Sequence, residues 1–371
     1  MTDFIQRTER VSTATVNDGS TVSDYLKNRN KQILLYSLNN SIVEYINRFT
    51  TTNDNLVVLK SNESKQIDSL PTQQTAIINI HKINDLKHIN KYFESVNEKL
   101  SDEGFFVCCV ETIEERKRRI LGKFPKIISY PYYFLDFILK RVFPKFSLTR
   151  RMYFYLTNGK NRTLSKTETF GRLLRCGFEI VDYKDINNHL YVACKKIKEI
   201  SFVQESAYSF LIKLKRYGEN GKIINVYKMR TMHPYGEYLQ DYVYRQNHLI
   251  VKGKFCNDFR VTRWGRFFRK YWLDEMPMII NLLKGDLKLF GVRPLSMQYY
   301  DLYGEELKQK RSKCKPGLIP PFYADLPEDF NDIMDSEDRY LDAYSRNPIK
   351  TDLKYLTKAM YNILVKGARS S

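Results

Sequence analysis

The chain has 371 residues, 43% hydrophobic and 28% charged, a composition that excludes a disordered chain and leaves room for two domains with separate cores. Sixty-one Lys and Arg against 42 Asp and Glu leave a formal charge of +19, which points to a polyanion: nucleic acid, a phosphorylated substrate or an anionic membrane face. No apolar run approaches the roughly 18 to 20 residues that cross a bilayer, and the polar start MTDFIQRTERVSTATVNDGS lacks a signal-peptide core, so a cytosolic chain is expected.

Residues 1–30 read as a polar, flexible terminus. KQILLYSL, NLVVLKS and TAIINIH follow as short apolar strands bounded by polar turns. Leu86, Ile89, Phe93, Val96 and Leu100 recur at helical spacing, and a turn over Ser101 to Gly104 leads into the strand FFVCCVE. The next predicted elements are a helix TETFGRLLR ending at Gly177 and the strands FEIVDY and HLYVACKK, an alternation that gives an α/β layer fold. Six cysteines with no CxxC pair and no His at ligand spacing point to neither a disulfide framework nor a zinc site.

Between these elements lies a basic aromatic insert, residues 115–165. From Glu115 to Arg175 there are sixteen Lys or Arg against three acids, so about two thirds of the surplus occupies one sixth of the chain. At its centre is IISYPYYFLDFILKRVFPKF, Ile127 to Phe146, flanked by Arg116-Lys117-Arg118-Arg119 and Arg150-Arg151. Aromatic and aliphatic residues bracketed by cations suit a membrane interface, with Tyr132, Tyr133, Phe134 and Phe137 as the inserting residues. The competing reading is a buried helix with solvated basic flanks. Nucleic acid is the weakest partner, because no recognisable nucleic-acid-binding pattern accompanies the charge.

The order of helix, Gly turn, strand, insert, helix, CGFEIVDY and final hairpin resembles the C-terminal half of class I methyltransferases, over about Thr75 to Lys195. YSLNNSIVEYI carries no glycine where that family has its Gly-rich cofactor loop, so the expectation is a methyltransferase-like domain, residues 31–198, without cofactor binding. A working methyltransferase is the alternative.

A second domain is expected over residues 207–371. YGENGK reads as a turn, and INVYKMRTM as a strand placing Lys228 and Arg230 on one face, an arrangement suited to a diphosphate. Asp274 and Glu275 fall at the start of an apolar helix closed by Lys284-Gly285, where the helix dipole favours ionised carboxylates. Ionised carboxylates serve as nucleophiles or magnesium ligands. Around them in sequence stand Arg260, Arg263, Arg266, Arg269, Arg293 and Lys315.

This half resembles the bacterial sugar transferase family, the monotopic polyprenyl-phosphate phosphoglycosyl transferases. The resemblance rests on Arg216, Gly218, Tyr227-Lys228-Met229-Arg230-Thr231-Met232, Asp258, Arg260, Thr262, Gly265, Arg269, Leu273-Asp274-Glu275, Pro277, Asn281, Lys284-Gly285-Asp286, Gly291, Arg293-Pro294 and Lys315-Pro316-Gly317, in family order and spacing. It implies a mixed α/β domain that moves a sugar-1-phosphate from a nucleoside diphosphate sugar, such as a UDP-sugar, to polyprenyl phosphate at the cytoplasmic face of the bacterial inner membrane. By the same resemblance Asp274 is the nucleophile, Asp274 and Glu275 hold Mg²⁺, and Arg216, Lys228, Arg230, Arg260, Arg269, Arg293 and Lys315 bind substrate phosphates. Met278 and Val292 replace a family Gln and Pro, departures that bear on sugar specificity. The family's re-entrant apolar helix is replaced by KEISFVQESAYSFLIKLKRYG, too short and polar to bury, so the insert is expected to supply the anchor. A catalytically silent membrane scaffold is the alternative from the binding class.

Overall fold

The computed structural model describes residues 38–50, 55–60, 64–198, 208–247, 249–250, 254–255 and 258–368. Within them the chain forms two compact units. The first takes in the described residues up to Tyr130 together with Thr157–Thr163 and Cys176 to Lys198; the second holds Pro131–Leu156, Leu164–Arg175 and the described residues beyond 207. The strand expected at KQILLYSL lies outside the described residues, apart from Leu38.

The first unit is a five-stranded sheet ordered β1-β2-β3-β5-β4, built from β1 (Leu56–Leu59), β2 (Gln74–Lys82), β3 (Leu100–Val110), β4 (Phe178–Ile186) and β5 (His189–Lys196). β1, β2 and β3 run parallel, with Leu56 opposite Ala76 and Ala76 opposite Phe105; β5 is antiparallel to both β3 and β4. Alternation along β3 sends Val107 and Cys109 to a core shared with Ile42, Tyr45 and Ile46 of helix α1 (Asn40–Asn47). Phe106 meets Phe93 of helix α2 (Ile89–Lys99) and Phe178 of β4. The helical spacing from Leu86 starts later than its pattern suggests, because Ile83–Asp85 closes a 3₁₀ turn and Leu86 is extended. Cys108, Cys109, Cys176, Cys194 and Cys314 are buried free thiols, and Cys256 lies outside the described residues.

Helix α3 (Ile113–Lys123) opens on a capping box in which Glu115 Oε2 accepts from Thr112 N at 2.7 Å. Two of its cations bind one buried carboxylate: buried Arg116 and half-exposed Arg119 reach Glu111 at 3.1 and 2.5 Å. The central insert segment is helix α4 (Lys126–Phe137), extended by a wider π-turn over Ile138–Val142, and α5 (Ser147–Thr157) follows. The buried-helix reading fails here. Ile127 in α4 and Tyr155 in α5 are each 89% exposed, and Tyr132, Phe134, Leu135, Phe146 and Leu148 are exposed as well.

In the second unit, helix α6 (Lys166–Arg175) carries Glu168, fully buried among three cations. Arg141 reaches it at 2.5 Å, Lys145 at 2.8 Å and Arg172 at 3.1 Å. Burial alone raises a carboxyl, but Lys145, Arg141 and Arg172 hold Glu168 well below the usual carboxylate range. Part of the insert's charge therefore holds the fold together and is not offered to a surface. The unit continues with the hairpin β6 (Leu211–Tyr217) and β7 (Ile223–Met229), helices α7 (Arg263–Lys270) and α8 (Ile279–Leu283), and strand β8 (Lys288–Phe290). Helix α9 (Glu305–Ser312), strand β9 (Gly317–Ile319), and the long helices α10 (Phe330–Arg346) and α11 (Pro348–Leu364) follow, with shorter helices between the named elements. β8 and β9 pair in parallel so closely that a Cβ on Gly317 meets Gly291 N at 2.1 Å, which accounts for both motif glycines.

Replacing Glu168 with Gln leaves three cations facing a neutral group in a buried site and is expected to cost about 3–5 kcal/mol, read as a lower urea midpoint. Because the folded carboxyl titrates below its unfolded value, the wild-type contribution is complete at neutral pH. It is lost only as pH falls through that lowered value.

Candidate active site

The local sequence around the carboxylate pair builds a tight turn instead of a regular helix start. Leu273–Met278 is a 3₁₀ turn that runs into α8, with Pro277 inside it. Trp272, just before the turn, holds φ at 54°, a conformation that is costly for a bulky side chain. Its indole donates to the Tyr323 hydroxyl at 2.9 Å and packs edge-on against that ring, and its carbonyl accepts from Glu275 N at 3.1 Å. At the far end Gly285 at φ 74° closes the helix, as the Lys284-Gly285 signal implies.

Strand β7 lies against this turn. Ile224 and Val226 from β7, Met278 from the turn and Leu287 form one small core. Fully buried Asn281 ties the same elements by hydrogen bonds: Oδ1 accepts from Tyr227 N at 2.9 Å, and Nδ2 donates to Asn225 O at 2.7 Å and to Asp286 Oδ2 at 3.2 Å. The result is a fixed register in which Lys228 Nζ meets Glu275 Oε1 at 2.6 Å.

Asp274, Glu275, Lys228, Arg269, Arg216 and Arg293 form one electrostatic group. Burial raises Asp274, Lys228 and Arg269 pull it down and Glu275 pushes it up, and the net value is above that of an ordinary aspartate. The helix dipole anticipated from sequence is outweighed, since the pair sits in a half-buried 3₁₀ turn and not on the first turn of a long helix. Burial lowers Lys228 despite Glu275, with Arg293 adding to the effect. Burial and Arg293 lower Arg216, and burial lowers Arg269 against the pull of Asp274. Four cations around two carboxylates leave an excess of positive charge, an environment made for an anion with several negative oxygens.

Other cations singled out in the sequence go elsewhere. Arg260 is buried and grips Asp258 at both oxygens, 2.8 and 2.7 Å. Arg230 lies just past the end of β7; its Nε donates to Ser209 O at 3.1 Å and its guanidinium faces Glu237 at 4.0 Å. Lys315 is half-buried on the chain entering β9. Arg269 is oriented by Thr231, whose Oγ1 accepts from its Nε at 3.0 Å. Gly265 is required beside this contact, since a Cβ there meets Thr231 O at 1.9 Å. Met278 and Val292, the departures read as bearing on specificity, are both buried core residues. Asn281 as a positioning group was missed. Its signal was a lone Asn inside the apolar run MIINLL.

Among the described residues no group of three His, Cys, Asp or Glu side chains converges as a metal cage. Asp274 and Glu275 offer carboxylate oxygens beside a cation-rich anion site, a donor set that fits the way Mg²⁺ is held by one or two carboxylates and substrate phosphates.

The model of the family described as "Bacterial sugar transferase" matches residues 195–366. Among curated proteins, this chain is 30% identical over 154 residues to the galactosyl transferase CpsE of Streptococcus agalactiae serotype III (strain NEM316), covering 40% of this chain and 33% of that one. It is 39% identical over 104 residues to the uncharacterized sugar transferase EpsL of Bacillus subtilis (strain 168), covering 28% and 45%. To the UDP-glucose:undecaprenyl-phosphate glucose-1-phosphate transferase of Escherichia coli (strain K12) it is 35% identical over 105 residues, covering 28% and 20%. The chain thus spans less than half the length of these curated relatives. The N-terminal half loosely resembles solved methyltransferase folds. An S-adenosylmethionine dependent methyltransferase from Mesorhizobium loti matches at TM-score 0.23 and 13% identity, covering 35% of this chain and 66% of that one. A SAM-dependent methyltransferase from Thermotoga maritima matches at TM-score 0.21 and 12% identity, covering 35% and 61%.

Removing the Lys228 charge as Lys228→Met takes away a group that pulls Asp274 down. The acid limb of the pH–rate profile, where the Asp274 carboxylate takes up a proton, is expected to move to higher pH than in the wild type.

Proposed function

We propose that this chain, whose C-terminal half carries a bacterial sugar transferase domain, transfers a sugar-1-phosphate from a nucleoside diphosphate sugar to polyprenyl phosphate and so starts a polysaccharide or glycoconjugate. The observation that carries this reading is the Asp274-Glu275 turn held against Lys228 inside a set of arginines. A UDP-sugar and undecaprenyl phosphate are the favoured substrates, because relatives are named for that exchange.

An Asp274 carboxylate oxygen forms a bond to the β-phosphorus of the donor as the bond to the nucleoside monophosphate breaks. The product is an aspartyl-phosphosugar. A polyprenyl phosphate oxygen then attacks the same phosphorus and expels the carboxylate, giving polyprenyl diphosphate sugar and restoring Asp274. Burial raises the Asp274 carboxyl, and a raised aspartate is the more basic nucleophile once ionised. Lys228, Arg269, Arg293 and Arg216 hold the diphosphate oxygens and take up the charge that shifts toward the leaving monophosphate. Arg230 and Lys315 are candidates for outer contacts with the donor, and Arg260 supports the site through Asp258. Asp274 and Glu275 would hold Mg²⁺, which would supply charge neutralisation of the diphosphate.

The second substrate is a lipid, and the insert is the proposed contact with an anionic membrane at the cytoplasmic face of the bacterial inner membrane. Tyr132 and Phe134 are exposed on α4, while Tyr133 and Phe137 are half-buried and pack on each other at 6.2 Å. Exposed Leu148, Met152 and Tyr155 on α5 lie beside Arg150 and Arg151 in sequence, the pairing of apolar and cationic groups that an interface selects.

A panel of nucleotide sugars with polyprenyl phosphate, read by released nucleoside monophosphate, tests the activity. The wild type is expected to turn over one donor class, and Asp274→Asn is expected to lose at least about 10³-fold. Full turnover by that variant contradicts the mechanism, and no product from any donor favours a silent scaffold. Replacing Tyr132 and Phe134 with Ser is expected to lower the membrane-bound fraction in a sedimentation assay. An unchanged fraction places the contact elsewhere.

A further inference from the structure

Helix α6 reads from sequence as part of the methyltransferase-like half, yet it belongs to the unit that carries the transferase site. Seven consecutive residues, 167–173, are buried, whereas a surface helix buries one stripe. Four of them fasten two other segments, the one that follows β7 and the one that leads into α7. Gly171 lets two backbones touch, because a Cβ there meets Tyr235 O at 2.1 Å. Arg172 lies over the Tyr235 ring at 4.2 Å, and its Nη1 donates to that hydroxyl at 3.2 Å. Thr167 Oγ1 donates to Phe259 O at 3.1 Å. Phe170 packs edge-on against Tyr242, and Tyr242 against Phe259.

Arg172 is itself set by Glu168 at 3.1 Å, and the Tyr208 hydroxyl joins them by donating to Glu168 Oε1 at 3.3 Å. Tyr235 is a buried, bulky residue at φ 64°, a left-handed backbone that is costly for such a side chain. Contact with α6 on both its ring and its carbonyl holds it there. From Tyr235 a run of bonds leads to the active site. Gly236 N donates to His233 O at 3.1 Å, and His233 N to Arg260 O at 2.8 Å. Met232 bridges Val261. Thr262 N and Oγ1 both donate to Thr231 O, at 2.9 and 3.1 Å, and Thr231 Oγ1 accepts from Arg269 Nε at 3.0 Å. Arg269 is one of the two cations that pull Asp274 down.

We propose that α6 is a positioning element for the transfer reaction: Gly171 and Arg172 fix the left-handed Tyr235, and the bonds that run from there through Thr231 aim Arg269 at the anion site beside Asp274. The helix acts through Arg269 and supplies no group to the phosphates. Sub-ångström placement is what such a support provides, since a misplacement of about 1 Å costs about 10²-fold in rate. A purely structural helix is the competing role, and it predicts lost stability with no particular tie to Arg269. The kinetic part of the inference rests on the sugar-1-phosphate reading; the link from α6 to residues 231–239 does not.

Two variants of the full chain test it. Gly171→Ala keeps the helix, Ala being the stronger helix former, and forces Tyr235 away. Tyr235→Phe keeps the ring and removes only the acceptor for Arg172. Donor turnover is expected to fall about tenfold or more in Gly171→Ala and about fivefold in Tyr235→Phe. In an Arg269→Lys background, which keeps a cation but loses the bond to Thr231, each change is expected to cost less than about twofold. Equal losses in both backgrounds overturn the inference, and so does full turnover by both single variants. Hydrogen exchange reads the link without any donor. Peptides over residues 231–239 and 258–269 are expected to exchange about tenfold faster in Gly171→Ala, with those of β8 and β9 unchanged. Unchanged exchange over 231–239 also overturns it. Should Gly171→Ala not fold, Tyr235→Phe carries both measurements. A wild type that turns over no donor sinks the transfer reading, and the exchange result then decides the link alone.

Discussion

The site depends on holding like and unlike charges close together while half-buried, and that is costly unless the backbone beneath them cannot move. Asn281 supplies the constraint. One fully buried amide joins β7, which carries Lys228, to the element that continues from Asp274 and Glu275. Replacing it removes three hydrogen bonds worth about 0.5–1.5 kcal/mol each, so the Lys228–Glu275 contact at 2.6 Å rests on Asn281. Trp272 serves the same end from the other side, with its strained backbone pinned by Tyr323. A rigid turn of this kind is what the proposed reaction requires, since preorganised charge is the main resource of phosphoryl transfer.

The positive surplus divides by location. Arg141 and Lys145 of the insert are held by Glu168, and Arg116 by Glu111, so part of the basic insert is internal structure. A second part surrounds Asp274 and suits a diphosphate. What remains on the insert, beside exposed aromatic and aliphatic side chains, is the part suited to an anionic membrane.

Much of the fold was legible because its signals are local. Strands such as TAIINIH and HLYVACKK announce themselves by apolar runs between polar turns, and YGENGK by its glycines. The carboxylate pair was legible from motif spacing, as were the glycines at 265, 291 and 317, whose reason appears only in the close backbone approaches they permit. The fates of Arg230 and Arg260 were not legible, because a cation's partner is decided by tertiary neighbours and not by spacing. That Met278 and Val292 are buried core residues was not legible either, because sequence shows the exchanged residue but not which way its side chain faces. The insert's apolar run was ambiguous between core and surface, and exposure alone separates the two.

The most direct measurement is intact and peptide mass spectrometry of the chain after mixing with a donor nucleotide sugar in the absence of polyprenyl phosphate. The account predicts a mass increase of one sugar phosphate on the peptide containing Asp274, discharged when polyprenyl phosphate is added. Turnover with no adduct under rapid quenching, or an adduct on another residue, contradicts it.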